Sequence, residues 1–249
     1  MLGTLMLIDF GIALCLFFGA VLYTAVGHGG ASAYIAIMSL FGVPATSIKP
    51  TALSLNILVS SFTSVQFIRA KLYDLKLVIP LLIGAIPAAF IGGWIQLPNH
   101  IYKPIVGVIL LISAYRFLTV KAQQERPPRA YNRTLAIGVG AIIGLLSGLT
   151  GTGGGIFLSP LILFAGWTTV KGASGTAAIF IFFNSLFGLL GNLSSVNQIP
   201  SVLPLYIAFV LAGAFIGTRV GIHYFAYTGV KRLLGVVLLI AGLKLTFNL

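Results

Sequence analysis

Two glycine-rich runs, Gly27-His28-Gly29-Gly30 and Gly151-Thr152-Gly153-Gly154, each lie inside a membrane-length apolar stretch and are followed by similar series of hydrophobic segments. Glycine costs about 1 kcal/mol relative to alanine in a helix interior, so three together are expected to interrupt the helix. In hydrocarbon such a break is tolerated only where protein or water surrounds the freed backbone groups, which is how discontinuous helices come to line transport sites. A duplicated break therefore points to an all-α polytopic membrane protein with a solute site between its two halves.

Composition agrees. With 58% hydrophobic and 7% charged residues, the chain has too little polar surface for a water-soluble fold. The formal charge of +12 is accounted for by cytoplasmic loops facing anionic lipid, and no nucleic-acid partner is expected. Cys15 is the only cysteine, which excludes an intramolecular disulfide and leaves a small apolar filler. The amino-terminal apolar run has no basic region ahead of it and carries Asp9, so a cleaved signal peptide is not expected.

Hydropathy places apolar stretches at 5–43, broken at 27–30, then 50–68, 77–97 and 104–119. The second half repeats them at 134–166, broken at 151–155, then 172–190, 201–220 and 233–248. Residues also correspond: Gly27, Gly29 and Gly30 with Gly151, Gly153 and Gly154; Thr51-Ala52 with Thr176-Ala177; Ala89-Phe90-Ile91-Gly92 with Ala214-Phe215-Ile216-Gly217; Lys103 and Gly107-Val108 with Lys231 and Gly235-Val236. The expected organisation is one integral unit: a first repeat at 1–119, a basic cytoplasmic linker at 120–133, and a second repeat at 134–249.

Positive charges set the orientation. Arg69, Lys71 and Lys76 flank one connection; Arg116, Lys121, Arg126, Arg129 and Arg133 mark the centre; Lys171, Arg219, Lys231 and Arg232 mark two more. Placing these inside leaves Lys49, Lys103 and Lys244 outside, with both termini outside. The basic connection 69–76 then corresponds to the uncharged 194–201, so equivalent loops lie on opposite faces and the repeats are inverted. A parallel duplication would require the charge rule to fail at several loops. Each half must cross an odd number of times, by three full spans plus either a re-entrant hairpin or two short crossings at the break.

Each break leads into a short helix whose first turn offers unpaired N–H groups and the positive end of the helix dipole. Two such ends meeting would bind an anion without a basic side chain; the bland alternative is close helix packing. The four-residue spacings Gly140, Gly144, Gly148 and Gly213, Gly217, Gly221 read as packing stripes. Candidate substrate-binding residues are Gly27, His28, Gly29, Gly30, Thr51, Gly151, Thr152, Gly153, Gly154 and Thr176. Pro50 suits a first helical turn, and the hydroxyls of Thr51 and Thr176 at the span starts either donate to an oxyanion or cap their own backbone. His28 is the candidate for proton coupling, against a neutral histidine satisfied by backbone groups. Ser54, Asn56, Asn184 and Ser185 read as interhelical hydrogen-bonding groups. The acids Asp9, Asp74 and Glu125 lie at a surface or in loops, so no metal, cofactor, cation site or hydrolytic set is expected.

These features resemble the sulfite exporter TauE/SafE family, also called the toluene sulfonate uptake permease family. Gly151-Thr152-Gly153-Gly154-Gly155 with Pro160 and Gly175-Thr176 carries the resemblance best; in the first half Ala31 replaces a third glycine and nothing matches Pro160. The resemblance implies transport of sulfite, sulfonates or other organosulfur anions across the bacterial cytoplasmic membrane. The expected protein is a secondary transporter of a small sulfur oxyanion, working by alternating access in the export direction, not an enzyme. An anion channel and a non-transporting sensor or assembly subunit are the alternatives, and homo-oligomerisation stays open.

Overall fold

The computed structural model describes residues 2–119, 128–224 and 227–247, and among them the regular structure is helical. In chain order the α-helices are α1 (Leu2–Thr24), α2 (Ala31–Leu40), α3 (Ala45–Arg69), α4 (Leu75–Trp94), α5 (Asn99–Thr119), α6 (Arg133–Thr150), α7 (Gly155–Phe164), α8 (Val170–Gly191), α9 (Leu203–Tyr224) and α10 (Tyr227–Phe247), with a 3-10 turn at Leu193–Gln198. Six of them, α1, α3, α4, α6, α8 and α9, are long and apolar enough to cross a bilayer. Lys121, Glu125 and Arg126 of the expected linker lie outside the described residues, as do the side chains of Arg116, Lys231 and Arg232.

The helix ends follow local chemistry. Asp74 accepts from Leu77 N to start α4, Asn132 accepts from Thr134 N and Leu135 N to start α6, and Thr169 accepts from Gly172 N to start α8. Each supplies one of the acceptors that the first turn lacks. Helices α2 and α7 end alike: Gly42 N and Val43 N donate back to Ser39 O and Met38 O, and Gly166 N and Trp167 N to Leu163 O and Ile162 O. Such paired bonds around a left-handed glycine stop a helix sharply.

Helix α3 begins at Ala45, behind Pro44, and not near residue 50. Pro50 therefore sits in the second turn and not the first, and Thr51 and Thr176 lie a full turn inside α3 and α8 rather than at their starts. A membrane helix tolerates an inner proline because neighbouring groups can satisfy the freed carbonyl.

Small residues bring the helices together, as expected where lipid supplies no hydrophobic driving force. Gly140, Gly144 and Gly148 of α6 close on the backbone of Leu81, Ala85 and Ala89 of α4; a Cβ on Gly144 would stand 2.5 Å from Ala85 O. Gly213, Gly217 and Gly221 of α9 meet Phe17 and Val21 of α1 and Ala25 just beyond it in the same way. Helix α3 packs on α8 and α9, α4 on α6 and α8, α1 on α9, and α5 on α10. Exchanging the halves maps these pairings onto one another.

Helix α2 folds back on α1, and the end of α7 returns to the residues ahead of α6. Arg129 N donates to Gly166 O at 2.7 Å, so the two feet of the α6–α7 hairpin stand together. In the α1–α2 hairpin, Gly19 lies against Ala33 and Ile37, and Gly11 reaches Phe41. At ten residues, α2 and α7 are each about 15 Å long, half a hydrocarbon core. At one end of the bundle the connection 94–99 meets 191–198, with Gln96 Nε2 donating to Ser194 Oγ at 2.6 Å. At the other, Gly175 of α8 closes on Leu72 O, and Asp74 N donates to Thr176 Oγ1 at 3.2 Å.

Candidate functional site

Each break starts as a helix stop and ends as a helix start. Gly27 N and His28 N donate to Thr24 O and Tyr23 O, closing α1, and Gly30 opens α2; Gly151 N donates to Ser147 O, closing α6, and Gly154 opens α7. Gly27, Gly30, Gly151, Gly153 and Gly154 all have φ between 75° and 100°. Residues with a Cβ are strained there, which is why glycine carries the turn.

The breaks converge. A Cβ on Gly29 would strike the Oδ1 side of the Asn56 amide and approach Ile181 Cγ2 to 3.0 Å; a Cβ on Gly153 would strike its Nδ2 side and approach the same Ile181 carbon to 3.2 Å. Asn56 and Ile181 stand midway along α3 and α8, 125 residues apart, as Thr51 and Thr176 do. They therefore occupy matched positions, one amide and one alkyl. Further out, Gly27 lies against Ser174, and Gly151 against Lys49, another matched pair.

The polar wiring runs through the Asn56 amide. Its Oδ1 accepts from Ala31 N, the first amide of α2, at 3.2 Å, and its Nδ2 donates to Ser185 Oγ on α8 at 2.7 Å. Asn184 Nδ2 donates to Gly153 O at 3.3 Å. The backbone N–H groups of Gly29, Gly30, Gly153 and Gly154 make no hydrogen bond to another described residue. Buried amides without acceptors are costly unless something else supplies one. Here they cluster at the starts of two helices whose dipoles favour negative charge.

The other expected site residues are less central. His28 Nε2 reaches Gly155 O at 3.1 Å and Ser159 Oγ at 2.9 Å. The imidazole thus links the first break to α7 across the halves. Thr152 Oγ1 pairs with Thr150 Oγ1 at 3.0 Å. Thr176 faces the connection 70–74 through Asp74 N. The Thr51 hydroxyl is fully buried and meets no partner among the described residues. Among the described residues no three His, Cys, Asp or Glu side chains gather.

Sequence reasoning passed over two features. Asn56 was expected to bond between helices, and it does, but its place between both breaks depends on how far each hairpin penetrates. Lys49, expected at an outer surface, is buried at 8% exposure with its stem against Gly151. Its position five residues inside α3 was hidden by the misplaced helix start.

The profile of the family described as Sulfite exporter TauE/SafE matches residues 12–245. A probable membrane transporter protein, y4hK, of Sinorhizobium fredii is 39% identical over 239 residues, covering 94% of this chain and 97% of that protein. The probable membrane transporter protein YjnA of Bacillus subtilis is 26% identical, covering 94% and 98%. No solved structure gives a significant match.

Proposed function

The chain belongs to the sulfite exporter TauE/SafE family, and from that premise we propose that it is a secondary transporter carrying one small sulfur oxyanion, of the sulfite or sulfonate class, across the bacterial cytoplasmic membrane by alternating access. The observation that carries this reading is the meeting of the two unwound breaks at Asn56, with the amides of Gly29, Gly30, Gly153 and Gly154 left without intramolecular acceptors. Those amides hold the anion's oxygens, with the Asn56 amide and the Thr51 hydroxyl as further donors. Because Nδ2 of Asn56 is held by Ser185, loading the site exchanges that bond for one to the anion and loosens α3 from α8 at mid-height. The halves, or the hairpins, then move about the site.

Inverted repeats, 1–119 and 134–249 about a basic linker, suit this cycle. Two neighbourhoods support the inversion: the α3–α4 connection lies beside the start of α8, and the α8–α9 connection lies beside that of α4 and α5. Equivalent connections thus stand at opposite ends. The basic residues Arg69, Lys71, Lys76, Arg129, Arg133 and Lys171 flank the connections of one end, which the positive-inside rule makes cytoplasmic, with both termini outside. The paired feet of the α6–α7 hairpin support re-entrant entry rather than two short crossings. An anion leaving an inside-negative cell gains about 2.3 kcal/mol per charge per 100 mV, so export needs no coupled proton.

The test is radiolabelled sulfite flux in proteoliposomes. A carrier saturates and is accelerated by unlabelled sulfite on the opposite side. Flux that rises linearly with concentration and ignores the opposite side would make the protein a channel. Absence of both flux and sulfite-stimulated exchange would leave a sensor or assembly subunit.

A further inference from the structure

Lys49 is a cation in an unusual place. Nζ donates to Gly93 O in the last turn of α4 at 3.2 Å. That engages one of three ammonium hydrogens and leaves two. No carboxylate among the described residues pairs with it: Asp9 takes a hydrogen bond from Tyr206 on α9, and Asp74 caps α4 at the opposite end of the bundle. A cation inside a membrane bundle without a counter-ion is expensive, and where one persists it commonly marks a solute path.

Beside it opens a half-enclosed cavity of about 90 Å³ whose polar lining, Lys49 with Gln96, Asn99, Asn192, Ser195 and Gln198, is interspersed with apolar residues such as Leu97 and Leu149 and includes no acid. Asn192 is 1% exposed; its Oδ1 accepts from Ser195 Oγ at 3.0 Å while its buried Nδ2 has no partner among the described residues. The cavity thus has a buried cation in its wall and an unsatisfied amide donor on a residue that lines it. Its volume corresponds to roughly three waters, enough for one small oxyanion. It adjoins the central site, since the Lys49 stem rests on Gly151 and Tyr102 Oη in the cavity wall donates to Thr150 O at 3.0 Å. In the matching place of the other half stands Ser174, against Gly27. The charge therefore serves one mouth only.

We propose that Lys49 and Asn192 form a second anion site, a mouth site that takes a small oxyanion at the end of the molecule formed by connections 94–99 and 191–198, one step from the central breaks. It rests on the reading of the chain as an anion carrier, and it makes the two faces unequal: beside the breaks the Lys49 face has a buried cation where the other half has Ser174.

The experiment measures sulfite exchange from each face of oriented proteoliposomes holding the full chain, comparing wild type with Lys49→Met, Lys49→Arg and Asn192→Leu. The expected result is a KM raised at least tenfold from the Lys49 face in Lys49→Met, unchanged from the other face, restored within about threefold by Lys49→Arg, and raised several-fold by Asn192→Leu. Unchanged KM at both faces, or an equal change at both, would overturn the mouth site. Should Lys49→Met not fold, Asn192→Leu carries the same comparison. Should wild type show no flux, the transport reading fails alone, and calorimetric titration of the purified protein with sulfite decides the site. Binding that weakens tenfold in Lys49→Met sustains it, and equal binding, or none in either protein, ends it.

Discussion

Asn56 does the work that two symmetric residues would share. Its carbonyl oxygen holds the start of α2 through Ala31 N, while its NH₂ points toward the Gly153 side and Ser185. Asn56→Asp keeps the shape and the acceptor but puts negative charge beside the four unpaired amides. Sulfite exchange should fall at least tenfold with the protein still inserted, measured against its amount in the vesicles; wild-type exchange would remove Asn56 from the site. His28 is a different case, because its Nε2 is already engaged by Gly155 O and Ser159 Oγ. His28→Gln retains a donor of similar reach, so exchange and its pH profile should match wild type across pH 5 to 8. A flattened profile would restore the proton-coupling role expected from the sequence.

At the scale of elements, small-residue stripes decide which helices touch. A Cβ on Gly148 would strike Ala89 O and stand 2.8 Å from Gly93 N, whereas one on Gly138, on the same helix, meets nothing within 4 Å. Gly148→Leu should therefore destabilise the protein by about 1–3 kcal/mol or more, the usual range for overpacking, and Gly138→Leu should be near neutral. Thermal unfolding in detergent of the two variants side by side checks this. The spans themselves were legible in the sequence because hydropathy in a membrane protein reports burial in lipid directly, and every apolar stretch became a helix within a few residues. What hydropathy could not convey was depth. The glycines announced where α1 and α6 stop, but only the pairing of Arg129 with Gly166 showed that α7 returns to the foot of α6. The start of α3 was misplaced because Pro50 resembles a first-turn proline, while Pro44 holds that role. That error moved Lys49 to a surface on paper and kept Thr51 and Thr176 in view as capping hydroxyls.

For the whole molecule, the pairings of the long helices are preserved when the halves are exchanged, yet three matched positions carry unlike chemistry: Asn56 with Ile181, Lys49 with Ser174, and His28 with Thr152. Symmetry supplies the two-faced architecture, and the departures from it supply polarity. The inversion can be tested by labelling, using the equivalent connections α3–α4 and α8–α9. In a background with Cys15 replaced by alanine, Lys71→Cys and Asn197→Cys, both at exposed positions, should react with a membrane-impermeant maleimide from opposite faces of the cell membrane. Reaction from the same face would make the duplication parallel and leave the alternating cycle without its symmetry.

The most direct measurement is sulfite exchange by Gly153→Ala. With φ near 75° and the Asn56 amide already against its Cα, position 153 has no room for one methyl group. If the anion is held where the breaks meet, exchange should drop below about a tenth of wild type while the amount inserted and its size-exclusion profile stay the same. Exchange near the wild-type rate, with a methyl group in the middle of that site, would contradict the account.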